Sequence, residues 1–322
     1  MVPTISPAAK DRPILVTGAH RSGTTWVGKM LALARGVQYI HEPFNPVAPA
    51  GVCAADFDHY FVYITRRNET GYLSPLSRTL AFRYAWPDAA REMNTLRRAR
   101  RTIHEGLEFE WARLNRARPL VKDPLALLSS EWLAERFGME ILVMIRHPAA
   151  FVSSVKRLDW QYSFAELLAD RQLMTDHLSG FETELHDHAR RPQDILSQAV
   201  LTWRVLYSVV ATFRRRHPEW LFVRHEDISL EPTRLFGDIY RRLQLDLTER
   251  VSREIEEHSG SANPHEVESA YSTYVNSRAN VSNWHRRLSN DEIVRIRNAV
   301  EDVSHAFYSD EDWQEPENEN RT

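Results

Sequence analysis

The chain has 322 residues, of which 43% are hydrophobic and 26% charged, and a formal net charge of −3 at pH 7. This size can bury one large core or two modest ones, and the nearly balanced charge excludes the strong basic bias of general nucleic-acid-binding proteins. No apolar run approaches the roughly 20 residues that span a bilayer, and residues 1–12 lack the apolar centre of a secretory signal. A single cysteine excludes an intrachain disulfide. We therefore expect a globular protein of the cytoplasm.

The first predicted elements are a short buried strand, a glycine-bounded loop and the start of a helix. Gly18 and Gly23 have the spacing of a phosphate-binding loop of the GxxxxGK[ST] kind, and Thr25 holds its hydroxyl position. Thr24, however, stands where nucleoside triphosphatases have a lysine, whereas Arg21 places a cation inside the loop. Backbone N–H groups and a helix N-terminus suit an anion. The loop therefore predicts a phosphate site that is not built for a magnesium-bound triphosphate.

The rest of the chain alternates between apolar runs and helical patterns. Four further strands are predicted at 37–41, 119–122, 140–145 and 221–225. Helical patterns cover 88–118, 126–137, the segment from Pro148, 192–217, 232–243, 248–258 and 290–307, whereas 46–75 reads as irregular. Alternating strands and helices predict an α/β fold in which helices flank a central parallel β-sheet. We expect one domain over 13–308, a flexible N-terminus over 1–12 and a flexible acidic tail over 309–322.

Two of the later predicted strands end in cations. Lys122 ends one strand and Arg146 ends the next, and Ser153 and Ser154 follow Arg146 two turns into a helix. Because ligands of open α/β sheets bind beyond the carboxyl ends of the strands, we expect these side chains at the same edge as the loop. An arginine supplies a fork of donors, so Arg146 and Ser154 can meet at one phosphate.

This combination resembles the sulfotransferase family, whose donor is 3′-phosphoadenosine 5′-phosphosulfate. The family's 5′-phosphosulfate loop is similar to the segment Arg21, Ser22, Gly23, Thr24, Thr25 and Trp26, and its 3′-phosphate motif to Arg146 and Ser154. Weaker similarities are His225-Glu226-Asp227 after the last strand, and Arg278 as a further phosphate ligand ahead of Trp284. The resemblance covers about residues 13–290 and implies a P-loop nucleoside-triphosphatase-like sulfotransferase fold.

The general base departs from the pattern of cytosolic members. Pro124 stands where they have a catalytic histidine, and Arg21 stands where they have a lysine. The segment around Glu42 is similar to the Glu-Pro that follows the second strand in carbohydrate-type and bacterial sulfotransferases. The resemblance therefore implies Glu42 as the base, with His20 and His41 as alternatives.

Together these similarities imply transfer of a sulfonate group to the hydroxyl of a sugar or small metabolite, in line, with Glu42 as base. Arg21 and Lys122 would meet the developing charge, so no metal is required. Two other functions stay open: a nucleotide kinase or ATPase, which Thr24 and Arg146 disfavour, and a non-catalytic nucleotide-binding protein. The arginine cluster at 97–101 is either a solvated helix face or a site for an anionic acceptor.

Overall fold

The structure is a computed structural model that describes residues 11–191, 193–260 and 277–314. Its five-stranded sheet has the order β2-β3-β1-β4-β5. The strands are β1 (Ile14–Gly18), β2 (Val37–His41), β3 (Arg118–Lys122), β4 (Glu140–Ile145) and β5 (Leu221–Arg224). β3 pairs in parallel with both β1 and β2. The predicted α/β fold with a central parallel sheet flanked by helices is confirmed.

Helices connect these strands and follow the last of them. They are α1 (Thr24–Leu31), α2 (Leu73–Leu80), α3 (Trp86–Ala90), α4 (Leu96–Leu114), α5 (Ser130–Phe137), α6 (Pro148–Leu158), α7 (Phe164–Ala169), α8 (Arg171–Leu173), α9 (Glu182–Arg190), α10 (Ile195–Arg216), α11 (His225–Leu230), α12 (Pro232–Arg242), α13 (Glu249–Ser259), α14 (Ser277–Val281), α15 (Asn283–Arg287) and α16 (Asn290–Ser304). The 3-10 helices are Glu69–Gly71, Pro124–Ser129, Ser179–Phe181 and Glu311–Trp313, and Met174–Leu178 is a π-helix.

The helix predicted over 88–118 is in fact two helices. α3 ends at Ala90, and α4 begins after Thr95, whose side-chain oxygen accepts a hydrogen bond from the Arg98 N–H at 3.2 Å. Threonine at this position satisfies a backbone donor that the first turn leaves unpaired. The helical charge pattern continues through the break, which is why the sequence pattern hides it.

The chain divides into two compact units, each described here by itself. One comprises the described residues up to 20 with 24–143 and 237–252, and its core includes β1, β3 and the buried Tyr240, whose hydroxyl donates to the Met30 carbonyl at 2.6 Å. The other comprises 21–23, 144–236 and the described residues from 253 onward. A single domain over 13–308 stays a prediction.

α10 is the central helix of the second unit. By length and composition it is apolar enough to cross a membrane, so the expectation that no apolar run approaches that length is wrong. However, 61% of its most apolar window is buried, and Trp203, Tyr207 and Phe213 are completely enclosed. An apolar helix enclosed in this way is a core helix of a packed unit.

The start of the predicted acidic tail is folded. Within 309–314, Glu311–Trp313 forms a 3-10 helix, Trp313 is buried, and Asp312 forms an ion pair with Arg224. The sequence pattern misses this because one buried aromatic ring and one ion pair anchor an otherwise polar segment. Residues 1–10 and 315–322, the rest of the predicted flexible ends, lie outside the described residues.

Asp194 caps the N-terminus of α10, and its removal tests how much this helix end contributes to stability. Its carboxylate accepts hydrogen bonds from the Ser197 N–H at 3.0 Å and from Arg295 at 2.8 Å. Partial burial opposes ionisation, but these bonds lower the pKa of Asp194 to about 2. We expect Asp194→Ala to lower the free energy of unfolding by about 1 kcal/mol at pH 7, measured by urea denaturation.

The stabilisation from Asp194 has a defined pH dependence. Because the pKa is depressed in the folded state, the contribution is complete above about pH 4 and is lost as the pH falls towards 2. The difference in the free energy of unfolding between wild type and Asp194→Ala should therefore be smaller at pH 3 than at pH 7. Asp56→Ala, which changes an exposed aspartate, is the matched control. A difference that is the same at pH 3 and pH 7 would contradict the capping role.

Candidate active site

The loop after β1 contains residues with positive φ. β1 ends at Gly18 with φ 144°, α1 begins at Thr24, and between them Arg21 and Gly23 have φ of 66° and 92°. A Cβ added at Gly23 would lie 2.6 Å from the Cδ2 atom of His225, so only glycine fits. A non-glycine residue held at positive φ costs on the order of 1–3 kcal/mol and is typical of ligand-binding loops.

Arg21, Arg146 and Ser154 are brought together in the second unit. The Nε atom of Arg21 donates to Ser154 Oγ at 3.1 Å, and Arg146 Nη1 donates to the carbonyl oxygen of Arg21 at 2.7 Å. Ser154 lies on α6, which begins at Pro148. Arg146 and Ser154 are both buried. Both predicted residues therefore contact Arg21, the loop residue predicted to bind the same donor, while their convergence on one phosphate stays a prediction.

The backbone of Arg146 is fixed by two side chains of α10 that the sequence analysis did not include in the site. Its N–H donates to the Tyr207 hydroxyl at 2.8 Å, and its carbonyl accepts from Trp203 Nε1 at 3.0 Å. Trp203 is a buried core residue, and its indole N–H also positions Arg146. The only sequence signal was that two aromatic residues with polar tips lie four positions apart on one helix.

Glu226 fixes the next peptide in the same way. Its Oε1 accepts from the His147 N–H at 3.0 Å, and its Oε2 accepts from the Tyr308 hydroxyl at 2.9 Å. Burial raises the pKa of Glu226, although the Arg146 charge opposes this. Glu226, the middle residue of the weakly similar segment His225-Glu226-Asp227, thus holds the backbone just after β4.

Several buried donors of this unit have no hydrogen-bond partner among the described residues. They include Arg146 Nε, Ser22 Oγ and Ser153 Oγ, which belong to the predicted phosphate residues or to their neighbours in the sequence. A buried unpaired donor costs about 1–3 kcal/mol, and such groups call for an explanation in a folded protein. Burial also lowers the pKa of Arg146, with Glu226 opposing that shift. An anion with several oxygen atoms would satisfy these donors, so this set fits a phosphate-bearing ligand.

Glu42 and Lys122 meet in the first unit. The parallel register places His41 opposite Lys122, so Glu42 follows directly at the carboxyl end of β2. Lys122 is completely buried and its Nζ donates to Glu42 Oε1, while Asn45 Nδ2 donates to Oε2 at 3.0 Å. The backbone of Glu42 has φ 43°, and its N–H donates to the Lys122 carbonyl at 2.9 Å. Both carboxylate oxygens are therefore held in place.

The charges of this cluster keep Glu42 ionised. Burial alone would raise its pKa, but the Lys122 charge and hydrogen bond hold the pKa of Glu42 below its ordinary value. Burial and then Lys122 lower the pKa of His41, whose ring is about half exposed and lies 4.0 Å from Glu42. His20 instead packs its ring against Phe61, with centroids 5.9 Å apart. Glu42 is thus ionised at neutral pH, while its role as the base stays a prediction, with His20 and His41 as alternatives.

Asp123, the residue after Lys122, holds the backbone next to the Glu42 and Lys122 pair. It is completely buried, and its carboxylate accepts from the Phe44 N–H at 2.6 Å and from the Leu125 N–H at 2.9 Å. Burial raises the pKa of Asp123 to about 7. Lys122 and Asp123 are therefore not a solvated surface pair. Asp123 instead anchors the turn that follows Glu42.

The remaining predicted site residues have different surroundings. Thr24 and Trp26 are buried at the start of α1, and Thr25 is partly exposed. Arg278 is exposed on α14, where its guanidinium donates to the Leu230 carbonyl at 3.2 Å. Its role as a phosphate ligand stays a prediction.

In the described part of the chain, no His, Cys, Asp or Glu residues form a group that could hold a metal.

Comparison with known proteins gives a family and a set of distant structures. A sequence profile described as "Sulfotransferase family" matches residues 13–249. No curated protein matches. Sulfotransferase STF1 from Mycobacterium tuberculosis H37Rv is 17% identical with a TM-score of 0.42, over 77% of this chain and 72% of that one. The sulfotransferase domain from the Synechococcus PCC 7002 olefin synthase is 14% identical with a TM-score of 0.44, over 92% and 95%. Sulfotransferase STF9 from Mycobacterium avium is 14% identical with a TM-score of 0.44, over 93% and 78%.

Proposed function

This chain belongs to the sulfotransferase family, and we propose that it transfers a sulfonate group from 3′-phosphoadenosine 5′-phosphosulfate to a hydroxyl of a sugar or small-metabolite acceptor. We further propose that it does so in the cytoplasm and without a metal ion. The observation that carries the proposal is the contact of Arg21 with Ser154 and Arg146, beside buried donors that an anion would satisfy. These are the residues at which the chain matches the family's two phosphate motifs.

We assign donor binding to two groups of residues. The 5′-phosphosulfate is assigned to Arg21, the N–H groups of residues 22–25, the hydroxyls of Thr24 and Thr25, and Trp26. The 3′-phosphate is assigned to Arg146 and Ser154, with Arg278 as a further ligand. Backbone N–H groups at a helix N-terminus and a forked guanidinium both favour phosphate oxygens.

Catalysis in this proposal depends on one base and two cations. Glu42 takes the proton of the acceptor hydroxyl. At the same time the oxygen of that hydroxyl forms a bond to sulfur, and the bond between sulfur and the bridging oxygen of the donor phosphate breaks. Negative charge then moves onto that phosphate, where Lys122 and Arg21 stabilise it. Lys122 has a second role, since its contact keeps Glu42 ionised and oriented before the acceptor arrives. Glu42 is a weaker base than an unpaired glutamate, so it acts by position as well as by proton affinity.

A comparison of ligands by thermal denaturation tests the donor assignment. Adenosine 3′,5′-bisphosphate, the product of the donor, should raise the melting temperature, because a ligand at 100 times its Kd adds about 2.7 kcal/mol to stability. Adenosine 5′-monophosphate lacks the 3′-phosphate and should give a smaller shift at the same concentration. Magnesium-ATP should give a smaller shift still, because the loop has Thr24 in place of a lysine.

The same experiment separates the alternatives. Stabilisation by magnesium-ATP but not by adenosine 3′,5′-bisphosphate would contradict the sulfotransferase assignment and favour a kinase or ATPase. Strong binding of the bisphosphate, with no release of it from the donor in the presence of a panel of sugar and hydroxylated acceptors, would favour the non-catalytic alternative.

A further inference from the structure

α4 carries an exposed apolar stripe. Leu96, Ile103, Leu107 and Leu114 are 72%, 48%, 61% and 78% exposed. Their spacing of seven, four and seven residues places all four on one side of the helix. Trp111, also exposed, borders the stripe. Single exposed apolar side chains are ordinary, but a contiguous row along one helix indicates an interaction surface.

The opposite face of α4 is firmly packed, so the stripe is not a core face that has turned outward. Gly106 allows a close approach, since a Cβ there would lie 2.3 Å from Trp86 Cη2. Phe109 packs edge-on against Phe82 and Tyr84, with ring centroids 5.7 and 5.4 Å apart. α4 therefore presents the stripe on a helix whose rotation is fixed by its own core contacts.

The charges of α4 are divided between its two halves. The first half carries Arg97, Arg98, Arg100 and Arg101, and its first turn has no acidic residue. Cations at a helix N-terminus oppose the helix dipole. Among the described residues, Arg97 and Arg100 have no ion-pair partner. The second half carries three carboxylates, Glu105, Glu108 and Glu110, against one arginine, Arg113. Within α4 these carboxylates contact Arg101, His104 and Arg113 respectively, and the second half keeps a net negative charge. A basic first half and an acidic second half are complementary to each other when two such helices run in opposite directions.

We propose that this face of α4 binds a second copy of the chain, with the two α4 helices packed antiparallel about a two-fold axis that crosses the stripe at the level of position 105. The stripe is symmetric about that position: Ile103 and Leu107 lie two residues from it, and Leu96 and Leu114 nine residues from it. Leu96 then meets Leu114 of the second copy, and Ile103 meets Leu107. A two-fold contact requires this kind of self-complementary patch. A parallel arrangement would instead bring the two arginine clusters together.

The expected affinity is modest. α4 has 19 residues, so it is about 28 Å long, and one helix face of that length buries less than the roughly 800 Å² per partner of a standard stable interface. We therefore expect association in the micromolar range. This inference is independent of the proposed reaction, because none of the residues assigned to donor binding or catalysis lies on the stripe.

Sedimentation of the full chain at several concentrations tests the association. Wild type should shift towards twice the mass of the chain as concentration rises. Leu107→Glu places two charges next to the axis and should leave a monomer across the whole range, with an unchanged circular dichroism spectrum. Val294→Glu is the matched control, because Val294 is 57% exposed on another helix, α16. A monomeric wild type, or a dimer that Leu107→Glu leaves intact, would overturn the proposal.

Cysteine cross-linking tests the direction of the two helices. The native Cys53 is buried, so the introduced thiols dominate the reaction. A mixture of Leu96→Cys and Leu114→Cys chains should form a disulfide between the two variants. Leu96→Cys alone should not, because its two copies would lie about 27 Å apart in the antiparallel pair. A disulfide in Leu96→Cys alone, or no disulfide in the mixture, would overturn the antiparallel arrangement.

Discussion

Replacing Glu42 by glutamine is expected to lower kcat by about 10²–10⁴-fold, which is the usual contribution of a positioned general base. The affinity for adenosine 3′,5′-bisphosphate should stay nearly unchanged, because we assign donor binding to other residues. The amide oxygen of glutamine can still accept the hydrogen bond from Lys122, so the buried ammonium keeps a partner. Turnover is measured as release of adenosine 3′,5′-bisphosphate from the donor with a panel of sugar and hydroxylated acceptors.

The pH dependence gives this prediction a second readout. A base acts in its ionised form, so activity should fall as the pH drops through the pKa of Glu42. Because Lys122 holds that pKa below its ordinary value, the acidic limb should lie below the pH range in which an unpaired glutamate titrates. The residual activity of Glu42→Gln should lack that limb. A limb near pH 6 in the wild type would point to a histidine, with His41→Gln as the variant to examine next.

Two controls define what the Glu42 result means. Glu301→Gln changes an exposed glutamate of α16 and should leave kcat unchanged. Thermal denaturation of Glu42→Gln should show a folded protein with a normal response to the bisphosphate. An unchanged kcat would exclude Glu42 as the base, and a loss of bisphosphate affinity as large as that of the Arg146 variants would contradict the division of roles.

The strands could be predicted closely from the sequence because buried parallel strands appear as short apolar runs bounded by turn residues. All five predicted strands are present with nearly the predicted bounds. Helix ends were harder to predict. The break before α4 depends on one hydrogen bond of the Thr95 side chain, and a local cap of this kind hardly alters the charge and apolar pattern over 88–118.

The candidate site was predictable where a local motif carries it. Arg21, Arg146 and Ser154 belong to such motifs, and the structure brings them together. Tyr207 and Glu226 could not be found this way, because their contacts with the backbone at 146 and 147 join segments 61 and 79 residues apart. Neither periodicity nor composition reports which buried side chain directs its polar tip at a given peptide.

Lys122 shows a different limit of sequence reasoning. A lysine beside an aspartate at the end of a strand is most often solvated, and charged side chains are seldom fully buried. Here both side chains are completely buried, because Glu42 pairs with the ammonium and two backbone N–H groups satisfy Asp123. The ion pair with Glu42 at the end of the neighbouring strand offsets the cost of removing the Lys122 ammonium from water. The sequence of one strand does not show which residue of the neighbouring strand will pair with it.

Replacing Arg146 by alanine is expected to weaken binding of adenosine 3′,5′-bisphosphate by about 10–100-fold, since hydrogen bonds to charged groups contribute about 1.5–3 kcal/mol and each 1.4 kcal/mol is a factor of ten. Arg146→Lys should recover part of the loss, because lysine keeps the charge but not the forked geometry. Arg157→Ala, on the exposed end of α6, is the matched control. Affinities are measured by isothermal titration calorimetry.

Arg146 is buried and its Nη1 supports the loop carbonyl of Arg21, so alanine also loosens the loop and lowers stability. A comparison of two ligands separates this effect from loss of the phosphate contact. If Arg146 binds the 3′-phosphate, wild type should prefer adenosine 3′,5′-bisphosphate over adenosine 5′-monophosphate, and Arg146→Ala should lose most of that preference. A general loosening would weaken both ligands equally and leave their ratio unchanged. An unchanged ratio would therefore remove Arg146 from the 3′-phosphate site and leave it as a support for the loop.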